Sequence, residues 1–570
     1  MGLVRSLQEN HYTQAAIAYP FITLFSSFVV TCIFTRVITG IRSTISQNNT
    51  DATSKTPNKV AYWVPWVGSA LSFAKDIEGT IKKGRDASGD GVISYRIGPS
   101  KYYVVNMPSL VQQIFAQKSA TLNKQKILEW FMNTTFADNY ATRDEHAAFH
   151  GHHSALNLML KEDFINEATG KTARTVETEA ARLVTTAPWA TPDAEGKPLE
   201  LWEEAGKVNF NSDGTFDVNL YQLIVHYMGQ VVIDMLWGKA LIKNHPNLQF
   251  DMWDFDEGVH HLVATVLSKV TAAGRKAVAC RGRLCEAMKE WHEAVAAKQR
   301  GENPGEKWGA LDDISQIMQD RVKVWEDNKA SEILQKTNDV SVLWGVNVNS
   351  NKNVFWMLLQ IYSRPELLSD IREEIAPYVR VSPTAERGAD GLPKLEIDVD
   401  GLAKNCPLIK AAFFETMRMN MSGLGIRQVI KDVVLKESAA DAAMFGKKRP
   451  QAYTIPAGTT LVLANGTMQM DQRIFTNPDK FFPERFIEEG PDGSPRVTMK
   501  NLHTFGGGLY KCKGRYFAEK EVLIFASSLL VMWDIAPTEG EEIVIPQMGF
   551  AGASRSPVED IRVRLTRRYN

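Results

Sequence analysis

The sequence predicts a mainly α-helical protein with a smaller β portion, carried behind one N-terminal transmembrane helix. Three observations predict it. Residues 12–35 hold no charged side chain. Residues 343–367 and 516–531 carry long apolar patterns of helical period. Between them, Arg427 stands in the run Gly425-Ile426-Arg427-Gln428-Val429.

The N-terminal stretch comes first in chain order. Its core, residues 15–34, is apolar with scattered Ser and Thr, close to the ~20 residues that span a bilayer. Arg36 and Arg42 follow, and no small-x-small cleavage site precedes Arg36, which argues against a removable signal. Pro20 is the one residue that weakens the helix. The basic flank puts the bulk of the chain on the cytosolic side. The expected organisation is an anchor at 1–42, a polar linker at 43–62 and one main domain at 63–570.

Composition sets bounds on that domain. The 570 residues are 44% apolar with net charge −1, enough for a large core and without the general basic footprint of a nucleic-acid binder. Five scattered cysteines make no disulfide framework and suit a reducing compartment. No internal repeat is visible.

Further along, 143–153 carries His146, His150, His152 and His153, readable as solvated histidines at helical spacing or as a metal site. Segments 191–212 and 382–400 read as surface insertions rich in turn residues. The long, apolar and aromatic stretch 218–270 is expected to line a substrate entrance. Residues 343–364 read as one long buried helix ending at Arg364-Pro365, with Asn347, Asn349 and Ser350 either bending it or serving chemistry. Glu415 and Arg418 stand three apart, hence on one helix face. Their neighbours Phe413, Phe414 and Met417 argue for burial, where an unpaired charge is costly.

The most informative run is Thr504-Phe505-Gly506-Gly507-Gly508-Leu509-Tyr510-Lys511-Cys512-Lys513-Gly514-Arg515. An aromatic residue, a glycine-permitted tight loop, one cysteine and a following glycine describe a thiolate held toward a flat cofactor. The thiolate would sit just before the helix at 516–531 and gain from its dipole. A structural cysteine after a glycine turn is the bland alternative, and the absence of a Lys-Ser/Thr pair makes a poor phosphate loop. The whole pattern points to haem.

With these residues in view, the chain resembles the cytochrome P450 haem-thiolate monooxygenases, whose pattern Phe-x-x-Gly-x-Arg-x-Cys-x-Gly is met at Phe505, Gly508, Cys512 and Gly514. The resemblance implies the P450 fold, haem b with Cys512 as its axial thiolate, and a catalytic domain over 63–570. It implies that Glu415 and Arg418 are the family's Glu-x-x-Arg pair. Arg485, in Phe482-Pro483-Glu484-Arg485-Phe486, would complete the ion network, and Arg427, at the strand position where the family places such an arginine, would meet a haem propionate. Residues 62–68 resemble the family's proline hinge. Two departures stand out: Tyr510 replaces a basic residue, and 143–153 lacks the family's Trp-x-x-x-Arg contact, for which His150, His152 or His153 could substitute.

Counting back from Arg364-Pro365 puts Asn349 and Ser350 where the family has an acid followed by threonine, so a carboxylate is gone while a hydroxyl remains. With Leu343-Trp344 ahead and Phe355-Trp356 behind, this resembles the branch of the sterol 7α- and 12α-hydroxylases and prostacyclin synthase. The implied activity is oxidation of a lipophilic substrate, such as a sterol, terpenoid or other secondary metabolite. Dioxygen and electrons from NADPH would be used, through a separate NADPH–cytochrome P450 reductase, at the endoplasmic reticulum membrane in single-pass orientation. Two rivals stay open: a redox-partner-independent isomerase or dehydratase acting on a peroxide, and a non-catalytic haem- or ligand-binding protein.

Overall fold

The structure, a computed structural model, describes residues 19–48, 54–184, 199–309, 311–382, 391–549 and 553–569. The described residues group into two compact units, each assembled from separate stretches of chain.

The first unit draws on 1–125, 424–476 and 507–509. It contains helix α1, Pro20–Asn48, whose span Pro20–Thr44 has a mean hydropathy of 2.0 and no buried share. Pro20 opens the helix, where its missing N–H leaves nothing unpaired, so it starts the segment and does not break it. Thr23, Thr31, Thr35 and Thr39 each donate a hydroxyl to the carbonyl four residues back, which hides their polarity in an apolar setting. The helix continues through 43–48, which sequence assigned to the linker, while residues 15–18 and 49–53 lie outside the described residues.

The same unit holds a six-stranded mixed sheet of β1 Asn58–Lys59, β2 Val92–Ile97, β3 Ser100–Val105, β4 Leu122–Asn123, β5 Leu424–Val429 and β6 Thr460–Ala464, in the order β1-β2-β3-β6-β5-β4. Strand β6 runs parallel to β3 and antiparallel to β5. Alternation puts Tyr103, Val105, Leu461 and Leu463 into one core and Val104 and Val462 into another, so both faces are covered.

The second unit draws on 126–423, 477–506 and 510–570 and is mostly helical. Seven of its helices matter below: α2 His146–Ala155, α3 Leu220–Trp237, α4 Leu248–Val263, α5 Glu332–Asn347, α6 Ser350–Tyr362, α7 Pro407–Asn420 and α8 Arg515–Met532. Helix α3 is apolar nearly all round and accordingly buried. Among the described residues, large apolar side chains of the stretch 218–270 are exposed past it, at Val266, Leu267 and Val270. The expected insertion 191–212 contains a helix, Leu201–Ala205, with buried Trp202. Its residues 191–198, and 383–390 of the other insertion, lie outside the described residues.

The single long helix expected over 343–364 is interrupted. Helix α5 ends at Asn347 and α6 begins at Ser350. Asn349 stands at the break: its Oδ1 accepts the Ser554 N–H at 3.3 Å, and its carbonyl accepts both the backbone N–H and Nδ2 of Asn353, at 3.1 and 2.9 Å.

Candidate active site

Cys512 stands out among the five cysteines. Cys280, Cys285 and Cys406 are buried, with thiols pushed up by burial to about 11, 11 and 12, whereas the Cys512 side chain is open to its surroundings. Its own thiol is raised by the protein around it and pulled back by backbone N–H groups of Gly514 and Arg515 that point at the sulfur. The turn that presents it is closed by the Cys512 N–H donating to the Phe505 carbonyl at 2.8 Å and the Gly506 N–H donating to His503 at 2.9 Å. Helix α8 starts three residues later, so its dipole favours an anion at the sulfur.

The glycines before it are required by geometry. Gly508 has φ +61°, and a Cβ there would lie 2.2 Å from the Phe115 carbonyl oxygen; at Gly507 it would lie 2.3 Å from the Phe115 ring.

Glu415 and Arg418 form a bidentate pair on α7, both bonds 2.8 Å, with neither side chain exposed. The sequence reading of a buried i, i+3 pair matches this geometry. Arg418 also donates to the Pro478 carbonyl at 2.7 Å. Arg485 reaches Glu415 at 3.0 Å, and the Phe482 N–H donates to the same carboxylate at 3.0 Å. The carboxylate is thus fully satisfied inside the protein, the condition under which a buried charge is tolerated. Thr504, at the head of the cysteine loop, donates to Met417 Sδ on α7 at 3.5 Å.

At the helix interruption, Asn349 and Ser350 are placed differently. Asn349 is held by Ser554, as above, while Ser350 is buried on α6, which packs against α8, the helix that carries Glu521. Glu521 is 1% exposed. Its carboxyl is pushed up to about 8 by burial, so it is protonated at neutral pH. Its Oε1 has no partner among the described residues. Sequence reasoning missed Glu521. The signal was present: it stands four residues after Phe517, on the apolar stripe of α8, where a carboxylate is out of keeping.

Arg427, in the first unit, lies on β5 as expected and is buried, with Nη1 donating to the Ile426 carbonyl at 2.8 Å. The histidines of α2 part company. His150 is exposed, while His152 is buried and stacked on Trp325 at 4.7 Å, its pKa held well below the ordinary value by burial and Arg321. His152 is therefore not a solvated histidine, and no group of three or more metal-ligating side chains occurs among the described residues. Lys513 ties the cysteine loop to α2 by donating to the His153 carbonyl at 3.2 Å.

Residues 59–559 match the family model "Cytochrome P450". The chain belongs to the cytochrome P450 family. It is an oxidoreductase of the P450 monooxygenase class, mainly helical with a smaller sheet portion, and its cofactor is haem with a cysteine thiolate as axial ligand. Among curated relatives, "Cytochrome P450 monooxygenase nodJ" of Hypoxylon pulicicidum is 26% identical over 297 residues, 51% of either chain. Human "24-hydroxycholesterol 7-alpha-hydroxylase" is 22% identical over 483 residues, 84% of this chain and 87% of that one. The pig "5-beta-cholestane-3-alpha,7-alpha-diol 12-alpha-hydroxylase" is 21% identical over 516 residues, 88% and 91%. The branch suggested by residues 343–356 is thus represented among the relatives. The residues at the cysteine loop fit the cofactor: an open thiol, two N–H groups aimed at its sulfur, and a helix N-terminus behind it.

Proposed function

We propose that this P450 is a membrane-anchored monooxygenase that hydroxylates, or otherwise oxidises, a lipophilic substrate of the sterol, terpenoid or secondary-metabolite kind. Electrons come from NADPH through a separate NADPH–cytochrome P450 reductase. Helix α1 holds the enzyme in the endoplasmic reticulum membrane with the catalytic part cytosolic, a reading supported by its hydropathy and by Arg36 and Arg42. In balance, one oxygen atom of O2 enters a C–H bond and the other leaves as water, with two electrons from NADPH and two protons.

Bound haem, ligated by the Cys512 thiolate, supplies the electron-rich iron that favours O–O cleavage. The chain's own groups do the rest. Phe505 covers the sulfur, and Gly508 and Gly514 give the loop its path. Glu415, Arg418 and Arg485 fix the structural core, and Arg427 meets a propionate. Ser350 hands on protons at its hydroxyl, and Asn349 keeps the segment at Ser554 in register with the helix interruption.

The observation that carries the hydroxylase reading is the burial of Ser350 at the helix interruption, with Glu521 of the packed helix α8 held uncharged in the same interior. A protonated carboxyl buried in that interior is a proton source, which reductive cleavage of dioxygen requires and rearrangement of a ready-made peroxide does not. The direct test is product analysis of microsomes offered a panel of sterols and terpenoids, with and without NADPH. A hydroxylated product that needs both NADPH and reductase supports the reading. Turnover of an endoperoxide without either promotes the isomerase, and haem binding without any turnover promotes the non-catalytic protein.

A further inference from the structure

Helix α1 does not leave the first unit as a free tether. One turn past Arg36, Thr39 Oγ1 accepts the Tyr62 N–H at 3.2 Å, and its own proton goes to the carbonyl of Thr35 at 2.8 Å or of Tyr62 at 3.1 Å. The Arg36 guanidinium lies over the Trp63 ring, 5.6 Å from its centroid. Residues 60–69 thus form a strap beside the end of the apolar span. It is pinned to β2 on either side, the Val60 N–H donating to the Ser94 carbonyl at 2.9 Å and the Ser69 N–H to the Arg96 carbonyl at 2.7 Å.

The strap turns its indoles outward. Trp63 is 55% exposed and Trp66 79%. Trp66 holds φ +61°, a left-handed backbone that a bulky side chain seldom adopts, in a turn closed by the Gly68 N–H donating to the Val64 carbonyl at 2.9 Å. Strain of this kind persists where the surroundings impose it, and its effect here is to keep a large ring at the surface.

Depth along α1 decides what covers that ring. Arg36 is the first charged residue after the span, so the hydrocarbon ends near it. Thr39 lies three residues on, about 4.5 Å along the helix axis, while the headgroup layer on one face of a bilayer is roughly 5–7 Å thick. Tyr62 and Trp63, held to α1 at Thr39 and Arg36, therefore fall within that layer. Trp and Tyr suit this depth, since the ring meets apolar chains while the indole N–H or the hydroxyl meets polar headgroups.

We infer that the strap at 62–66 is a second membrane contact, with Trp63 and Trp66 seated in the phospholipid headgroup layer beside α1. The inference deepens the anchored reading of α1 and rests on it. With the helix clasped and the strap seated, the first unit meets the bilayer at a fixed angle and does not swing on its linker.

The test uses the full-length, haem-loaded protein in phosphatidylcholine vesicles whose lipid is brominated either close to the headgroup or near the chain end. Tryptophan emission of wild type minus that of Trp63→Phe, and minus that of Trp66→Phe, isolates each exposed indole from the other twelve. Each difference is expected to lose about half its intensity to the shallow bromine and little to the deep bromine. Phe28→Trp, made on the background Trp63→Phe/Trp66→Phe, puts an indole inside the apolar span and reports the anchor separately through the deep bromine. If Phe28→Trp is quenched and either strap indole is not, α1 spans the bilayer but the inference is overturned, which is also the outcome if the strap faces a protein partner. Unquenched emission at all three positions overturns the anchored reading and the inference with it.

Discussion

Ser350 and Glu521 are both buried on two helices packed against each other, α6 and α8, a hydroxyl at the helix interruption and a carboxylic acid in an apolar interior. The family's usual acid beside this position is absent, because Asn349 stands there and its side chain is taken by Ser554. The acid in this chain comes from a different helix.

One consequence is a pH-dependent stability. The native state keeps the Glu521 proton up to about pH 8, while an exposed glutamate releases it near 4.5. The raised pKa therefore makes native stability fall as pH rises from about 4.5 to about 8, with no further loss above. Glu521→Gln should abolish this slope and gain on wild type by roughly 3–5 kcal/mol between the two ends of the window. Urea unfolding at several pH values measures it. Parallel curves for variant and wild type would show that Glu521 is ionised in the native state.

Ser350→Ala should separate electron use from product. With haem content normal, product per NADPH is expected to drop about tenfold while peroxide rises. Water at the vacated hydroxyl would keep the loss below the ~100-fold that removal of a positioned acid costs. An unchanged ratio of product to peroxide would remove Ser350 from the proton path.

Arg418→Ala leaves Glu415 buried with one cationic partner fewer, at a cost of roughly 3–5 kcal/mol. The protein recovered should be largely haem-free, since the pair is enclosed and supports structure, not chemistry. Folded, fully haem-loaded Arg418→Ala that only turns over more slowly would contradict this.

Deleting residues 1–42 should release much of the protein from membranes while leaving haem incorporation intact, because the site residues all lie downstream. Carbonate extraction measures it. Unchanged resistance would mean that another surface holds the bilayer.

Much of this was legible in the sequence, where local rules and tertiary structure agree. The apolar stripe of α8 and the i, i+3 spacing of Glu415 and Arg418 have short-range signatures. The contact of Asn349 with Ser554 at the helix break was not legible, since the two stand 205 residues apart in sequence. Nor was the ion pair of Lys352 with Asp256, 96 residues distant. The pairing of β3 with β6 was hidden for the same reason, since it reaches across more than half of the chain. His152 misled because helical spacing cannot tell a solvated histidine from one stacked on Trp325.

The most direct test of the account is the absorption spectrum of the dithionite-reduced, carbon monoxide-bound protein, wild type beside Cys512→Ala. The account predicts that wild type shows the red-shifted Soret band of thiolate ligation and that Cys512→Ala loses it. The buried Cys280, Cys285 and Cys406 would be unable to stand in. The same red-shifted band in Cys512→Ala would contradict it, since another residue would then be the ligand.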